Sequence, residues 1–190
     1  SLSAAMRTND TALELNPNFP EAYAMQGLIL EKQDKVNEAT QSFQKAFEFQ
    51  IVPADVYFAY GNFLARRGDW QKAAEQIKTG LRIRPIAING RRSLADAFYQ
   101  LGLFVEANQE QAKVHYLTGK RQEFAGQWDS ALDEYASAMQ LDSTKADYPA
   151  GQGLIFAKKH EHEQAEIFLE KALELNPQNA SALYGMGLVL

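Results

Sequence analysis

Small residues recur along this chain at a fixed interval of 34 residues, which a single shorter interval interrupts. One series of glycines and alanines stands at positions 27, 61, 95, 119, 153 and 187, with intervals of 34, 34, 24, 34 and 34 residues. An independent series of alanines stands at positions 5, 39, 73, 107, 131 and 165, with intervals of 34, 34, 34, 24 and 34 residues. A period of this length indicates stacked helical units, because one such unit cannot bury its apolar face alone.

Proline-containing segments mark the ends of helices within this period. The segments Leu13–Pro17, Leu81–Pro85 and Leu173–Pro177 are alike in sequence and lie at corresponding places in their repeats. Proline ends one helix and begins the next, because it lacks an N–H group and restricts the residue before it. The pattern therefore predicts an all-α chain.

The pattern resembles that of the tetratricopeptide-repeat family over essentially the whole chain. The repeat that fits best matches the family pattern at Tyr57, Gly61, Leu64, Gly68, Trp70, Ala73, Ile77, Gly80 and Pro85. The departures are polar residues at positions that are usually apolar, namely Gln26, Thr118, Gln122 and Gln152. The resemblance implies a right-handed α–α superhelix of antiparallel pairs, each with a helix A and a helix B. Small residues would let the paired backbones approach, and bulky residues such as Phe43, Ile77 and Tyr135 would fill the next layer.

The period also predicts the domain organisation. We expect a partial repeat at 1–19 with helix B only, full repeats at 20–53 and 54–87, and a shortened repeat at 88–111. Full repeats at 112–145 and 146–179 follow, and a partial repeat at 180–190 has helix A only. Because solenoids usually end in polar capping helices, we expect this chain to be a piece of a longer protein.

The short interval predicts a fused helix at about 104–125. The segment Phe104–Ala125 contains no proline and only one glycine. One continuous helix of about 22 residues and about 33 Å is the favoured interpretation. It would divide the array into an N-terminal and a C-terminal block. The alternative is a kink at Gly119 that keeps the superhelix almost regular.

The family resemblance implies a ligand-binding groove lined by the A helices. Aromatic residues bring rigid contact area, and arginine pairs with carboxylates through two hydrogen bonds. The basic residues make an acidic segment one candidate ligand, and the alternative is an ordinary polar surface. The candidate groove residues are Phe58, Asn62, Arg66, Asn89, Arg92, Asp96, Tyr99, Lys113, Tyr116 and Lys120.

These features favour a non-catalytic scaffold for protein–protein interaction, with a peptide or protein segment of a partner in the concave groove. The alternative is a substrate-recruiting arm of a larger enzyme, of the glycosyl- or sulfo-transferase type, whose catalytic domain lies outside this chain. No cofactor is expected, because the chain has no phosphate-binding loop, and Gly151-Gln152-Gly153 lacks the third glycine of a dinucleotide fingerprint. His160 and His162 are more simply interpreted as part of a solvated turn than as metal ligands.

The composition of the chain also disfavours some classes of partner. The net charge of −5 disfavours a nucleic-acid surface, and no apolar run approaches the length of a membrane span. The absence of cysteine excludes disulfides and leaves cytoplasm and periplasm equally compatible.

The two partial repeats predict head-to-tail self-association. Helix A at 180–190 and helix B at 3–16 are the two halves of one repeat. Placed together in different molecules, they would bring Gly187 against Ala5. The rival arrangement is a symmetric dimer through two copies of the same uncovered end.

Overall fold

The computed structural model describes residues 1–189, and that part of the chain forms eleven α-helices and no β-strand. The all-helical prediction is confirmed. The helices are α1 (Leu2–Leu15), α2 (Pro20–Lys32), α3 (Val36–Ala46), α4 (Ala54–Arg66), α5 (Trp70–Ile83), α6 (Ile88–Gln100), α7 (Phe104–Phe124), α8 (Trp128–Leu141), α9 (Asp147–Lys158), α10 (His162–Leu175) and α11 (Ala180–Val189).

Side chains set where several helices begin. The Asp69 carboxylate precedes α5 and accepts a hydrogen bond from the backbone N–H of Lys72 at 3.3 Å. The Asn179 side-chain oxygen precedes α11 and accepts one from the N–H of Ala182 at 2.9 Å. These caps satisfy donors that have no partner within the helix itself.

The turns that link α2–α3, α4–α5, α6–α7, α7–α8 and α9–α10 share a left-handed residue. Gly68, Gly102 and Gly126 have φ between 74° and 79°, and Asp34 and His160 have φ of 61°. Glycine adopts this conformation without a steric cost, and a short polar residue tolerates it better than an apolar one. The turn geometry is therefore kept even where the sequence does not supply glycine.

Helix α7 runs for 21 residues from Phe104 to Phe124 and is unbroken at Gly119. The predicted fused helix is confirmed, and it ends one residue before the expected boundary. Gly126, with φ of 74°, lies in the turn that follows. One helix therefore replaces a helix, a turn and a second helix.

Contacts between residues divide the chain into two compact units, Ser1–Leu103 and Phe104–Leu190. The N-terminal unit contains α1–α6, and the C-terminal unit contains α7–α11. The fused helix is the first element of the C-terminal unit.

In the N-terminal unit, glycines of the A helices lie against large buried residues of the B helices. A Cβ atom added to Gly27 would lie 2.8 Å from the Phe43 ring, and one added to Gly61 would lie 2.6 Å from Ile77. Phe43 and Ile77 are completely buried. The period of small residues thus reflects close contact between paired helices.

The C-terminal unit repeats this arrangement. A Cβ atom on Gly119 would lie 2.8 Å from the Tyr135 ring, and one on Gly153 would lie 2.6 Å from Leu169. Tyr135 and Leu169 are also completely buried. The same packing rule therefore holds on both sides of the fused helix.

Hydrogen bonds accommodate two of the polar departures from the family pattern. The Ser42 hydroxyl donates to Gln26 Oε1 at 3.1 Å, and Gln152 Nε2 donates to the carbonyl of Leu132 at 3.3 Å. Each glutamine thereby keeps one polar contact at a position where an apolar side chain would need none.

Candidate functional site

A pocket of about 200 Å³ opens between α2 and α4 in the N-terminal unit. Both helices are A helices, and they pack on each other directly. The side chains around the pocket, called here the α2–α4 pocket, are those of Glu21, Ala24, Met25, Leu28, Asp55, Val56 and Ala59.

A small residue, Ala24, lies at the pocket. The residue 34 positions later is Phe58, whose ring lies against α5 and α6. A Cβ atom added to Gly80 or Gly90 would lie 2.6 Å from that ring. In the C-terminal unit the corresponding residues include Tyr116, which also carries an aromatic ring, and Ala150, which is completely buried. The side chain at this repeat position thus varies in size, and position 24 has one of the small ones.

Two carboxylates stand beside the pocket in the first turns of α2 and α4. Asp55 accepts a hydrogen bond from the guanidinium of Arg84, and this bond raises the pKa of Arg84. The Arg84 guanidinium also lies 5.8 Å from the centre of the Phe58 ring. Glu21 makes no ion pair with any residue in 1–189. The pocket therefore combines an apolar interior with an acidic edge.

Arg66, a predicted groove residue, is held by its own chain. Its Nε and Nη2 atoms donate to the two carboxylate oxygens of Glu31 at 2.8 and 2.5 Å. The hydrogen bond to Glu31 is the main cause of the raised pKa of Arg66. The pair links α2 to α4 beyond the pocket.

The other predicted residues of the N-terminal unit lie on α4 and α6. Phe58 and Asn62 are half-buried on α4. Tyr99 is 62% exposed at the end of α6. Asn89, Arg92 and Asp96 are also exposed on α6. The structure thus places exposed polar side chains on α6, whereas the Phe58 ring of α4 packs against α5 and α6.

The C-terminal unit holds the remaining three predicted residues, and each contacts a neighbour. Lys113 Nζ lies 2.7 Å from Glu110 Oε1, and Lys120 Nζ lies 3.1 Å from Glu123 Oε2. The Tyr116 ring packs at 5.4 Å from Tyr148 and 5.8 Å from Tyr135 between ring centres. Burial is the main cause of the raised pKa of Tyr116.

Glu123 is the centre of a partly buried polar cluster in this unit. Its carboxylate accepts hydrogen bonds from the Tyr135 hydroxyl at 2.7 Å, from Lys158 at 2.8 Å and from Lys120 at 3.1 Å. Burial alone would raise the pKa of Glu123, but the hydrogen bonds from Lys158, Tyr135 and Lys120 outweigh it and lower that pKa. The cluster ties α7 to both α8 and α9.

Family models and the fold both indicate tetratricopeptide repeats. Two models described as tetratricopeptide repeat match residues 9–41 and residues 151–179, one in each unit. Together with the period and the packing of A and B helices, these matches decide the family. The chain belongs to the tetratricopeptide-repeat family.

Curated relatives match part of this tetratricopeptide-repeat chain. The photosystem I assembly protein Ycf3 of Acaryochloris marina is 34% identical over 79 residues, which are 40% of this chain and 48% of the relative. Ycf3 of a Synechococcus strain is 31% identical over 99 residues, 50% of this chain and 57% of the relative. The chain thus spans about half the length of the curated relatives that it matches.

Two solved structures share the fold at low sequence identity. PilF of Pseudomonas aeruginosa is 15% identical with a TM-score of 0.54, over 98% of this chain and 89% of that one. PilW, a type IV pilus biogenesis factor, is 15% identical with a TM-score of 0.53, over 97% of this chain and 90% of that one. The fold and the family together support a protein-interaction role for the chain.

None of the residues that line the α2–α4 pocket was among the predicted groove residues. The prediction favoured charged, amide and aromatic side chains, because each of these can make a specific contact with a ligand. Ala24, Leu28 and Ala59 lie on α2 and α4, which are A helices, and their apolar side chains were the available signal.

Residues 1–189 contain neither a cluster of metal ligands nor a helix that could cross a bilayer. Within residues 1–189, no group of three or more acidic or histidine side chains is placed to hold a metal ion. The His160 and His162 rings lie 6.1 Å apart, and both residues are exposed. None of the helices in that range is both long and apolar enough to cross a bilayer.

Proposed function

We propose that this tetratricopeptide-repeat chain is a non-catalytic scaffold that binds a peptide or protein segment of a partner. The α2–α4 pocket would anchor that segment. The carrying observation is an open, mainly apolar pocket between two A helices, beside Ala24, whose repeat position carries an aromatic residue at Phe58 and Tyr116.

The pocket offers binding energy of the kind that anchors an interface. Its interior is formed by Ala24, Leu28, Val56 and Ala59, and Met25 beside it is 50% exposed. Full burial of one large apolar side chain stabilises a complex by roughly 1.5–3 kcal/mol. Anchors in desolvated pockets commonly dominate the affinity of an interface.

Eight of the ten predicted groove residues divide into two groups under this proposal, and the rings of Phe58 and Tyr116 pack within their own units. Arg66 pairs with Glu31 and so links α4 to α2, whereas Lys113 and Lys120 pair with Glu110 and Glu123 of their own helix α7. Asn62, Asn89, Arg92, Asp96 and Tyr99 remain the proposed polar contacts of the bound segment. An acidic ligand residue would depend mainly on Arg92 under this scheme.

Filling the pocket from within should abolish this binding. The change Ala24→Tyr copies the residue at position 116, where Tyr116 packs on a core that includes Ala138. Position 46, which corresponds to 138 in the repeat, is also alanine. A peptide selected from a random display library on the wild-type chain would be measured by fluorescence anisotropy. We expect the affinity for this peptide to fall at least about tenfold, because one buried apolar contact is lost.

The matched control places the same side chain on a B helix. Gln44→Tyr alters an exposed position of α3 outside the pocket and should leave the affinity within about twofold. Equal affinity of Ala24→Tyr and the wild type, with both folded by circular dichroism, would show that the pocket is not the binding site.

We also propose that two copies of the chain associate head to tail through α11 and α1. A Cβ atom on Gly187 would meet nothing within 4 Å, whereas Gly27, Gly61, Gly119 and Gly153 all face a helix B. Ala5 is exposed, although the corresponding Ala39, Ala73, Ala131 and Ala165 are completely buried. Leu183 and Leu188, 52% and 44% exposed, would supply apolar area.

Sedimentation velocity measures this association directly. A head-to-tail contact joins different surfaces, so we expect the mean mass to keep rising with concentration beyond that of a dimer. Ala5→Arg should return the chain to a monomer, and Gln44→Arg on the exposed face of α3 should not. A mass that stops at the dimer, or that Ala5→Arg leaves unchanged, would favour the symmetric arrangement instead.

A further inference from the structure

We infer that the α2–α4 pocket selects a segment in which an apolar side chain, preferably aromatic, stands next to a lysine or arginine. This inference rests on the proposed function and adds the chemistry of the ligand. The apolar side chain would enter the pocket, and the cation would lie beside Glu21 and Asp55.

The size of the pocket fits a ring. Its volume is about 200 Å³, and an apolar cavity of about 150 Å³ is enough to hold benzene. Two other repeats carry an aromatic ring at the corresponding position, Phe58 and Tyr116, whereas a third has the buried Ala150. A ligand ring would lie in the pocket against Ala24, Leu28 and Val56.

The charge beside the pocket favours a cation. Glu21 and Asp55 bring two negative charges, and Arg84 compensates one of them through its pair with Asp55. The first turn of a helix carries only about half a positive charge, and exposure to solvent screens it. Because Glu21 has no ion-pair partner within residues 1–189, its carboxylate is the free acceptor.

The same charge disfavours an acidic segment at this place. An aspartate or glutamate next to the anchor would lie near two carboxylates of like charge, which weakens binding. Arg66 does not offset this repulsion, since both of its hydrogen bonds go to Glu31. A ligand that carries acidic residues would need to place them elsewhere, for example near Arg92 on α6.

Labelled peptides with one central side chain in a glycine–serine background test the preference for an aromatic ring and the preference for a cation separately. The probes are phenylalanine flanked by lysine, by glutamine or by glutamate, and serine flanked by lysine, each measured by fluorescence anisotropy on the full chain. We expect the lysine-flanked phenylalanine peptide to bind about twofold to fivefold more tightly than the glutamine-flanked one, as for exposed ion pairs. The glutamate-flanked peptide should bind more weakly still, and the serine peptide should not bind.

The variant Glu21→Gln should remove the preference for lysine over glutamine and keep the binding of both peptides. Glu14→Gln, an exposed change on α1, should keep the preference. Equal binding of the lysine, glutamine and glutamate peptides would overturn the charge selection and leave the proposed anchor intact. Tight binding of the serine–lysine peptide would overturn the aromatic part. If no phenylalanine peptide binds, while the display library still yields ligands that Ala24→Tyr rejects, the ligand chemistry inferred here is wrong and the proposed function stands.

Discussion

Ala73→Leu is expected to lower the free energy of unfolding of the N-terminal unit by about 1–3 kcal/mol or more. Ala73 is completely buried, and its carbonyl oxygen lies 3.2 Å from the place that a Cβ atom on Gly61 would take. Ile77, one turn further along α5, is completely buried as well. Three additional carbon atoms have no free volume in this contact, so α4 and α5 must separate or adopt strained rotamers.

Urea denaturation followed by circular dichroism measures this loss. Gln71→Leu introduces the same side chain on the exposed face of α5 and should change stability by less than about 0.5 kcal/mol. An unchanged midpoint for Ala73→Leu would show that α4 and α5 do not pack in the register described here.

Glu123→Ala is expected to destabilise the C-terminal unit by about 1–3 kcal/mol, because it leaves the buried Tyr135 hydroxyl without its acceptor. The Glu123 side chain is only 8% exposed, and Tyr135 is completely buried. Removal of the carboxylate leaves the Tyr135 hydroxyl without its acceptor, and Lys120 and Lys158 lose their partner. Lys120 and Lys158 are 47% and 43% exposed, so solvent compensates much of their loss.

Two companion variants separate the contributions within this cluster. Lys120→Ala removes an exposed partner and should cost less than about 1 kcal/mol. Tyr135→Phe removes the hydroxyl alone, and a double-mutant cycle with Glu123→Ala gives the coupling between the two groups. A coupling near zero would mean that the hydrogen bond between them does not stabilise the fold.

The lowered pKa of Glu123 also fixes a pH dependence. A carboxyl group with a lower pKa in the folded state stabilises the fold above its unfolded-state pKa. That stabilisation is lost as the pH falls through the folded-state value. The difference in stability between the wild type and Glu123→Ala should therefore be full at neutral pH and shrink in acid.

The helices of this chain were predictable because their signals are local or periodic. The period located the A and B helices, and the missing residues between Ala107 and Gly119 located the fused helix. Large residues such as Phe43 and Ile77 stand at a constant offset from the small ones, so the core also follows from the sequence.

Contacts between successive repeats were harder to predict. Arg66 looked like a ligand-binding residue, yet it pairs with Glu31, 35 residues earlier. Lys158 pairs with Glu123 at the same separation of 35 residues. One repeat length plus one residue is a pattern that could have been searched for. The choice of partner still depends on side-chain rotamers, which a single sequence does not specify.

The packing of helices on their near neighbours in the chain affects how unfolding proceeds. In such arrays stability is a sum of local terms, so one global transition need not describe the whole molecule. The chain carries two tryptophans, and Trp70 opens α5 in one unit while Trp128 opens α8 in the other. The fluorescence of each indole therefore reports on the unfolding of its own unit. Replacing one tryptophan at a time by phenylalanine would give a separate unfolding curve for each unit.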